Sequence, residues 1–222
     1  MFRDAALIAG KDLRLEARSR VTTNQIAPFA LLVLILFAFA LDPDRGVLAR
    51  ATAGLYWVAV LFCALLAVQR SFAIEAADGN RDGLRLSGLD PAGIFLGKAA
   101  AIATELIGLE LVLGAGAAIL YGTDVHGVGI LVVTIAAATA GLAAAGTLYG
   151  VLAAGLRVRE TLLPLLLLPV LAPVLVAATR AFESGLDPTA PDEWRWVSML
   201  TVFAAVYAVF GVVAFGSLLE EA

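Results

Sequence analysis

Residues 70–98, RSFAIEAADGNRDGLRLSGLDPAGIFLGK, form a long polar stretch that carries both signs of charge and is punctuated by glycine. Apolar runs flank it on both sides, at residues 51–68 and 94–121. Because about 20 apolar residues in a helix cross the hydrocarbon core of a bilayer, each run predicts a transmembrane helix. The stretch between them is predicted to be a loop at the membrane surface, and this alternation decides the fold class.

The whole chain repeats that pattern. It has 222 residues, of which 61% are hydrophobic, and its mean hydropathy is +0.94, so lipid is its expected solvent. The sequence predicts an all-α polytopic membrane protein that forms one domain, residues 1–222, with six transmembrane helices. Their approximate ranges are 26–41, 51–68, 94–121, 128–156, 162–182 and 197–219.

The basic residues predict the orientation of these spans. With the N-terminus inside, the inner segments hold 11 Lys and Arg residues and the outer segments hold 4. The four outer residues are Arg45, Arg50, Arg180 and Arg195. Lys and Arg concentrate in cytoplasmic loops, so both termini are expected in the cytoplasm.

Residues 1–24 precede the first span and predict a helix at the inner membrane interface. Lys11, Arg14 and Arg18 share one helical face, and a less polar face lies roughly opposite, formed by Phe2, Ala6, Ala9 and Leu13. Such a helix places its cations near lipid headgroups. The alternative is a solvated basic tail.

Several functional classes are disfavoured. The net charge of -4 argues against nucleic acid as a partner. The segment GIFLGK, residues 93–98, lacks the spacing and the following Ser or Thr of a phosphate-binding loop. The lone Cys63 cannot form an intramolecular disulfide. We therefore expect no catalytic residue, no metal site and no directly bound cofactor, and any ATP must act on a partner.

The central loop is amphipathic, and this favours a docking surface over a plain connection. Apolar anchors with a charged rim are typical of a segment that binds a groove in a partner. The candidate docking residues are Glu75, Asp78, Gly79, Leu84, Arg85, Leu86 and Leu89. A re-entrant packing element is the alternative.

Polar and bent positions within the spans are the remaining candidates. Glu105 and Glu110 lie inside the third span, where charge is costly unless it is paired or wetted. The fifth span contains Pro164, Pro169 and Pro173, which suit either a moving gate or a tolerated kink. In the fourth span, small residues at four-residue spacing predict close helix packing. His126, in the outer loop between the third and fourth spans, could ligate a haem iron, but a solvated loop histidine is the favoured interpretation. Trp194 and Trp196 could stack on a flat ligand, but the interfacial aromatic belt is sufficient to explain them.

At the central loop and the proline-rich span the sequence resembles the cytochrome c maturation protein B (CcmB) family, the haem exporter protein B family of ABC permeases. The motifs that carry the resemblance are Arg70-Ser71-Phe72, Glu75, Asp78-Gly79, Leu84, Leu86-Ser87 and Ile94-Phe95-Leu96-Gly97-Lys98. The N-terminal KDLRLE, residues 11–16, and the fifth-span LPLLLLPVLAPVL also match in character. Ala76 and Gly88 depart from the family pattern, which often has Arg and Pro there.

The resemblance implies an ABC-2-like permease subunit in the bacterial inner membrane. Its inner loop, residues 70–98, would be a coupling loop for a separate ATPase, CcmA. The assembly would include the haem-handling membrane protein CcmC, with haem as cargo, and would release a haem-loaded chaperone for c-type cytochrome assembly. A second permease copy is a further implied partner. An ABC-2 exporter for a lipid, drug or glycan is the main alternative, and an ion-coupled carrier is a weaker one.

Overall fold

The computed structural model describes residues 1–41, 45–76, 88–154, 159–187 and 193–221, and these are helical apart from short connections. The helices are α1 (Phe2–Ser19), a short π-helix (Thr22–Ile26), α2 (Ala27–Leu41), α3 (Arg45–Ala76), α4 (Pro91–Tyr121), α5 (Val128–Ala154), α6 (Arg159–Leu186) and α7 (Glu193–Glu221). The described residues contain no strand, and the all-α prediction is confirmed.

Six of these helices are long and apolar enough to cross a membrane, which confirms the predicted number of spans. They cover Thr22–Leu41, Gly46–Ile74, Pro91–Tyr121, Val128–Ala153, Leu162–Leu186 and Trp194–Glu220. The first span reaches its length only because the polar π-helix continues directly into α2. An even number of spans returns both chain ends to one side of the bundle.

The central stretch is less of a loop than the sequence indicated. Helix α3 continues through Arg70 to Ala76, and α4 begins at Pro91, so residues 77–90 alone connect them. Two local causes explain the difference. Phe72 is buried, which holds the last turns of α3 against the bundle. Asp90 caps α4 by accepting a hydrogen bond from the Ala92 amide at 3.0 Å, with proline in the first turn.

Helix α3 is the centre of the bundle and contacts α2, α4, α5 and α6. Its span is 67% buried, against 17% for the spans that contain α2 and α7, which leave most of their surface to lipid. An aromatic cluster joins α3 to α6, where the rings of Tyr56 and Phe182 stack with centroids 4.7 Å apart. The core is thus organised around α3.

Glycines on α5 allow the two most central helices to approach closely. A Cβ atom on Gly146 would overlap Val68 of α3, and one on Gly150 would overlap the ring of Phe72. A Cβ atom on Gly141, on another face of α5, would lie 3.0 Å from the Phe203 ring of α7. The packing role predicted for the small residues of this span is confirmed.

Both chain ends lie beside the start of α4. The Met1 ammonium is 3.3 Å from an Asp90 carboxylate oxygen, and Gly216, near the end of α7, lies beside the Pro91 ring. We call this side of the bundle the terminal end. Arg70, near the end of α3, contacts Glu16 of α1, so the end of α3 and the start of α4 both lie beside α1.

Candidate functional site

Helix α1 is seated on the first turns of α4 by two glycines. A Cβ atom on Gly97 would lie 2.6 Å from the Ala5 carbonyl oxygen, and one on Gly93 would lie 2.8 Å from that of Met1. These residues are four apart and share one face of α4, so backbone approaches backbone as in other small-xxx-small helix pairs. The segment GIFLGK is therefore a helix-packing element, which accounts for its glycines without any phosphate.

The face that α1 turns to the protein carries acidic residues. The residues against α4 are Asp4, Ile8 and Asp12, of which Ile8 is buried. Phe2 is 79% exposed, and Leu7 is exposed as well. The apolar side of α1 is thus available to the membrane, while its acidic side faces α3 and α4.

Two acids of α1 bind two cations of the bundle. Together with one serine, these side chains form what we call the α1 clamp: Asp12, Glu16, Arg70, Ser71 and Lys98. The Lys98 side chain is 1% exposed, and its ammonium donates to Asp12 Oδ2 and to Ser71 Oγ, both at 3.2 Å. It also lies 4.8 Å from the centroid of the Phe72 ring. A buried ammonium persists only when such partners replace its hydration.

The second ion pair of the clamp fixes the end of α1. Arg70 Nε donates to Glu16 Oε2 at 3.0 Å, and the Thr22 amide donates to Glu16 Oε1 at 2.6 Å. Burial favours the neutral acid, but these hydrogen bonds outweigh it and hold the pKa of Glu16 below its usual value. The pair therefore stabilises docked α1 at neutral pH, and this contribution is lost as the pH falls through that lowered pKa.

The clamp unites motifs that are far apart in sequence. Arg70, Ser71 and Phe72 lie in the last two turns of α3, whereas Gly97 and Lys98 lie in the first turns of α4. Both groups converge on α1, so the two ends of the α3–α4 connection are fastened to the same short helix. A force applied to that connection would reach α1 through charged hydrogen bonds as well as through the backbone.

The glycine seat gives a prediction with a control on the same helix. Gly97→Ala should displace α1, because the added methyl group meets a backbone oxygen, and overpacking of this kind costs about 1–3 kcal/mol. Gly108→Ala should be tolerated, since nothing lies within 4 Å of its Cβ position. The measurement is the thermal midpoint of each detergent-solubilised variant. Equal midpoints for the two variants would show that α1 is not held at Gly97.

The two acids of α4, Glu105 and Glu110, lie in different environments. Glu110 is 2% exposed, and the Thr139 hydroxyl of α5 lies 2.8 Å from both of its carboxylate oxygens. The Tyr56 hydroxyl donates to the Glu110 carbonyl at 3.2 Å. Glu105 instead borders a cavity of about 20 Å³ beside Asp12 and Arg70, enough for roughly one water. Glu110 therefore joins α4 to α5, and Glu105 adjoins the α1 clamp.

Glu110 and Thr139 should behave as a unit. Glu110→Gln keeps an amide that can bond Thr139, so the protein should insert and stay folded. Glu110→Leu leaves the Thr139 hydroxyl without its partner and should cost about 1–3 kcal/mol. Thr139→Val serves as the reciprocal change, and the double variant should be less damaged than the sum. Strict additivity in thermal unfolding would contradict the pairing.

The structure places the other predicted residues without joining them into a site. Of the docking candidates, Leu89 is half-buried against the core, and the side chain of Glu75 is outside the described residues. The remaining docking candidates, Asp78, Gly79, Leu84, Arg85 and Leu86, lie in the undescribed range 77–87. Docking by this set therefore stays a prediction.

The three prolines of α6, Pro164, Pro169 and Pro173, lie inside one helix that continues past all of them. Neighbouring helices make such prolines tolerable in a membrane bundle. A gating role for α6 remains a prediction.

His126 fastens the α4–α5 connection to the end of α6. Its backbone amide and that of Gly127 both donate to the Gly185 carbonyl, at 3.0 and 2.9 Å. Its ring nitrogen Nδ1 lies 3.0 Å from the Leu186 carbonyl and so donates to it. Trp194 is exposed and Trp196 is half-buried at this end. These contacts give His126 a structural role.

Asp12 and Glu16 of the clamp, and Thr139, which pairs with Glu110, were not recognised as site residues from the sequence. The acids at positions 12 and 16 are one helical turn apart, and this spacing is the signal that could have marked an acidic face on α1. Nothing local in the sequence pairs that face with Arg70 or Lys98.

Six helices long and apolar enough to cross a membrane, with a short helix clamped to them at the terminal end, define an all-α polytopic membrane protein. A family model described as "CcmB protein" matches residues 3–221. The chain belongs to this family.

It is similar to three proteins named "Heme exporter protein B". The one from Haemophilus influenzae is 31% identical over 209 residues, 93% of this chain and 94% of the relative. That from Paracoccus denitrificans is 33% identical over 186 residues, 80% and 83% of the two chains. That from Pseudomonas aeruginosa is 28% identical over 212 residues, 94% of each.

Proposed function

We propose that the chain is the membrane permease subunit of an ABC transporter complex in c-type cytochrome maturation. It couples ATP hydrolysis by a separate CcmA-like ATPase to haem export or to release of the haem-loaded chaperone. The observation that carries this proposal is the family match over residues 3–221, supported by relatives that share the name "Heme exporter protein B" along most of their length. ATP acts on the partner subunit, and haem is the cargo.

The α1 clamp supports a mechanical route for this coupling. An ATPase bound to residues 77–90 would move the end of α3 and the start of α4. Because Arg70 and Lys98 bind α1 at those two points, the three helices would shift as one unit. Closely packed elements of this kind pass on displacements rather than absorbing them.

The proposal also covers the orientation of the chain, its membrane and its other partners. The terminal end faces the cytoplasm, as the basic residues indicate, and the bilayer is the bacterial inner membrane. The other partners are a CcmC-like haem-handling membrane protein and a second permease copy. A reporter enzyme that works only in the cytoplasm should be active when it is fused after Ala222. Activity of a reporter that works only outside the cytoplasm would contradict this orientation.

Deletion of the gene in its own host tests the cargo. Haem-stained c-type cytochromes should disappear from the deletion strain and return with a plasmid copy of the wild-type chain. The Gly108→Ala variant should restore them equally well, because that position is open. Normal c-type cytochromes in the deletion strain would reject this function and favour an ABC-2 exporter for a lipid, drug or glycan.

A further inference from the structure

A groove of about 790 Å³ opens between α2, α3, α5 and α6 in the half of the bundle nearest the terminal end. Most of its described lining is apolar and comes from membrane spans, including Phe29, Phe62, Leu65, Leu163 and Leu168. The interiors of folded proteins are close-packed, and unfilled apolar space forfeits dispersion contacts. A groove of this size within a bilayer is therefore expected to hold something apolar.

The polarity of the groove changes along the bundle axis. Gln25, Gln69 and Arg70 line it near the terminal end. Phe29 lies about 6 Å deeper than Gln25, and Phe62 about 12 Å deeper than Arg70, by the helical rise per residue. The lining thus has a polar, cationic mouth and an apolar interior. A membrane lipid has the matching order, with its headgroup at the surface and its acyl chains below.

Arg70 can contribute positive charge to the mouth of the groove although it also belongs to the α1 clamp. Its bond to Glu16 uses Nε. Within the part of the chain that the structure describes, no carboxylate is paired with its two terminal amino groups. A guanidinium has five N–H donors, so four remain for a phosphate in addition to the bond with Glu16.

We propose that this groove binds one acyl chain of an anionic phospholipid, whose phosphate accepts hydrogen bonds from Arg70. The lipid comes from the leaflet on the terminal side, where basic residues attract anionic headgroups. This binding site is independent of the proposed ATPase and of the cargo. A lipid held here would fill the space between α2 and α6 and contact the residue that anchors α1.

Tryptophan quenching by brominated lipids tests the site. Phe62→Trp places a fluorophore on the groove wall, and Phe210→Trp places one on the lipid-exposed face of α7 as the control. Each purified variant is reconstituted into vesicles of unlabelled phosphatidylcholine that contain increasing fractions of brominated phosphatidylglycerol or brominated phosphatidylcholine. The signal of the parent chain, from Trp57, Trp194 and Trp196, is subtracted.

The Phe62→Trp signal should show about fivefold stronger relative binding of phosphatidylglycerol than of phosphatidylcholine, the effect of one nearby cation. Phe210→Trp should show no preference. Adding Arg70→Gln should abolish the preference, whereas adding Glu16→Gln, which breaks the same ion pair but keeps the cation, should preserve it. Equal quenching by both lipids would overturn the proposal. Absence of quenching at Phe62→Trp would also overturn it, because the groove would then be filled by protein. Displacement of the brominated lipid by added haemin would overturn it as well, because the groove would then be assigned to the cargo.

Discussion

Asp12→Asn is expected to release α1 from the bundle. The substitution preserves the size of the side chain but removes the carboxylate paired with Lys98, whose side chain is 1% exposed. Loss of one partner from a buried ion pair commonly costs about 3–5 kcal/mol, because the other charge stays in a poorly solvated place. Detachment of α1 allows water to reach Lys98, so we expect this helix to separate before the spans unfold.

The matched control uses the same carboxylate. Lys11 also pairs with Asp12, with a nitrogen–oxygen distance of 3.0 Å, but its side chain is 43% exposed. Exposed pairs contribute about 0–1 kcal/mol, so Lys11→Gln should leave α1 docked. Replacing both buried partners, as in Asp12→Asn with Lys98→Met, should recover much of the loss, since the buried charge is then removed as well.

Cysteine labelling measures the release directly. Ile8→Cys, introduced together with Cys63→Ala, reports on a position of α1 that is buried against α4. Its reaction with a water-soluble maleimide should be at least about tenfold faster with Asp12→Asn and unchanged with Lys11→Gln, since about 1.4 kcal/mol corresponds to a factor of ten in the open population. Equal labelling rates in these two backgrounds would show that the buried ion pair does not hold α1.

The second large effect is expected at the α3–α4 connection. Leu86→Asp should abolish co-purification of the ATPase while the permease stays in the membrane. An interface anchor typically contributes more than 1 kcal/mol when truncated, and the introduced carboxylate must also be buried. Leu84→Asp should act in the same direction. The rim residues Glu75, Asp78 and Arg85 should instead alter the salt dependence of binding.

Leu89 requires separate treatment, because it already packs against the core. Leu89→Asp could disturb the fold, so the informative pair is Leu84→Asp with Leu86→Asp. Val125→Asp provides the control, since Val125 is exposed in the connection between α4 and α5, at the opposite end of the bundle. If the double variant retained the ATPase at the wild-type level, the connection would not be the docking site and α1 would become the next candidate.

The sequence was sufficient for the spans and insufficient for the clamp, for physical reasons. Hydropathy and helix length are local properties, so six spans could be predicted without knowledge of their packing. The extension of α3 to Ala76 depends on burial of Phe72 against Gly150, which involves another helix. Lys98 and Asp12 are separated by 86 residues and Arg70 and Glu16 by 54, so only the folded chain shows that they pair.

The segment GIFLGK shows how one pattern can support two interpretations. Its lysine and glycines suggest a phosphate loop, but their spacing argues against that interpretation. The same glycines satisfy the small-xxx-small spacing of helix contacts, but the sequence does not identify α1 as the partner. The close approach of Gly97 to the Ala5 carbonyl supplies that partner.

Native purification is the most direct test of the account. The chain, tagged after Ala222 and expressed at its natural level, is extracted in mild detergent and its bound proteins and pigments are identified. We predict an ABC ATPase subunit in stable association, together with a haem-handling membrane protein and haem. The ATPase should be absent from the same preparation of the Leu84→Asp, Leu86→Asp variant. Recovery of the wild-type chain from membranes active in cytochrome maturation, with no nucleotide-binding protein attached, would contradict the central claim.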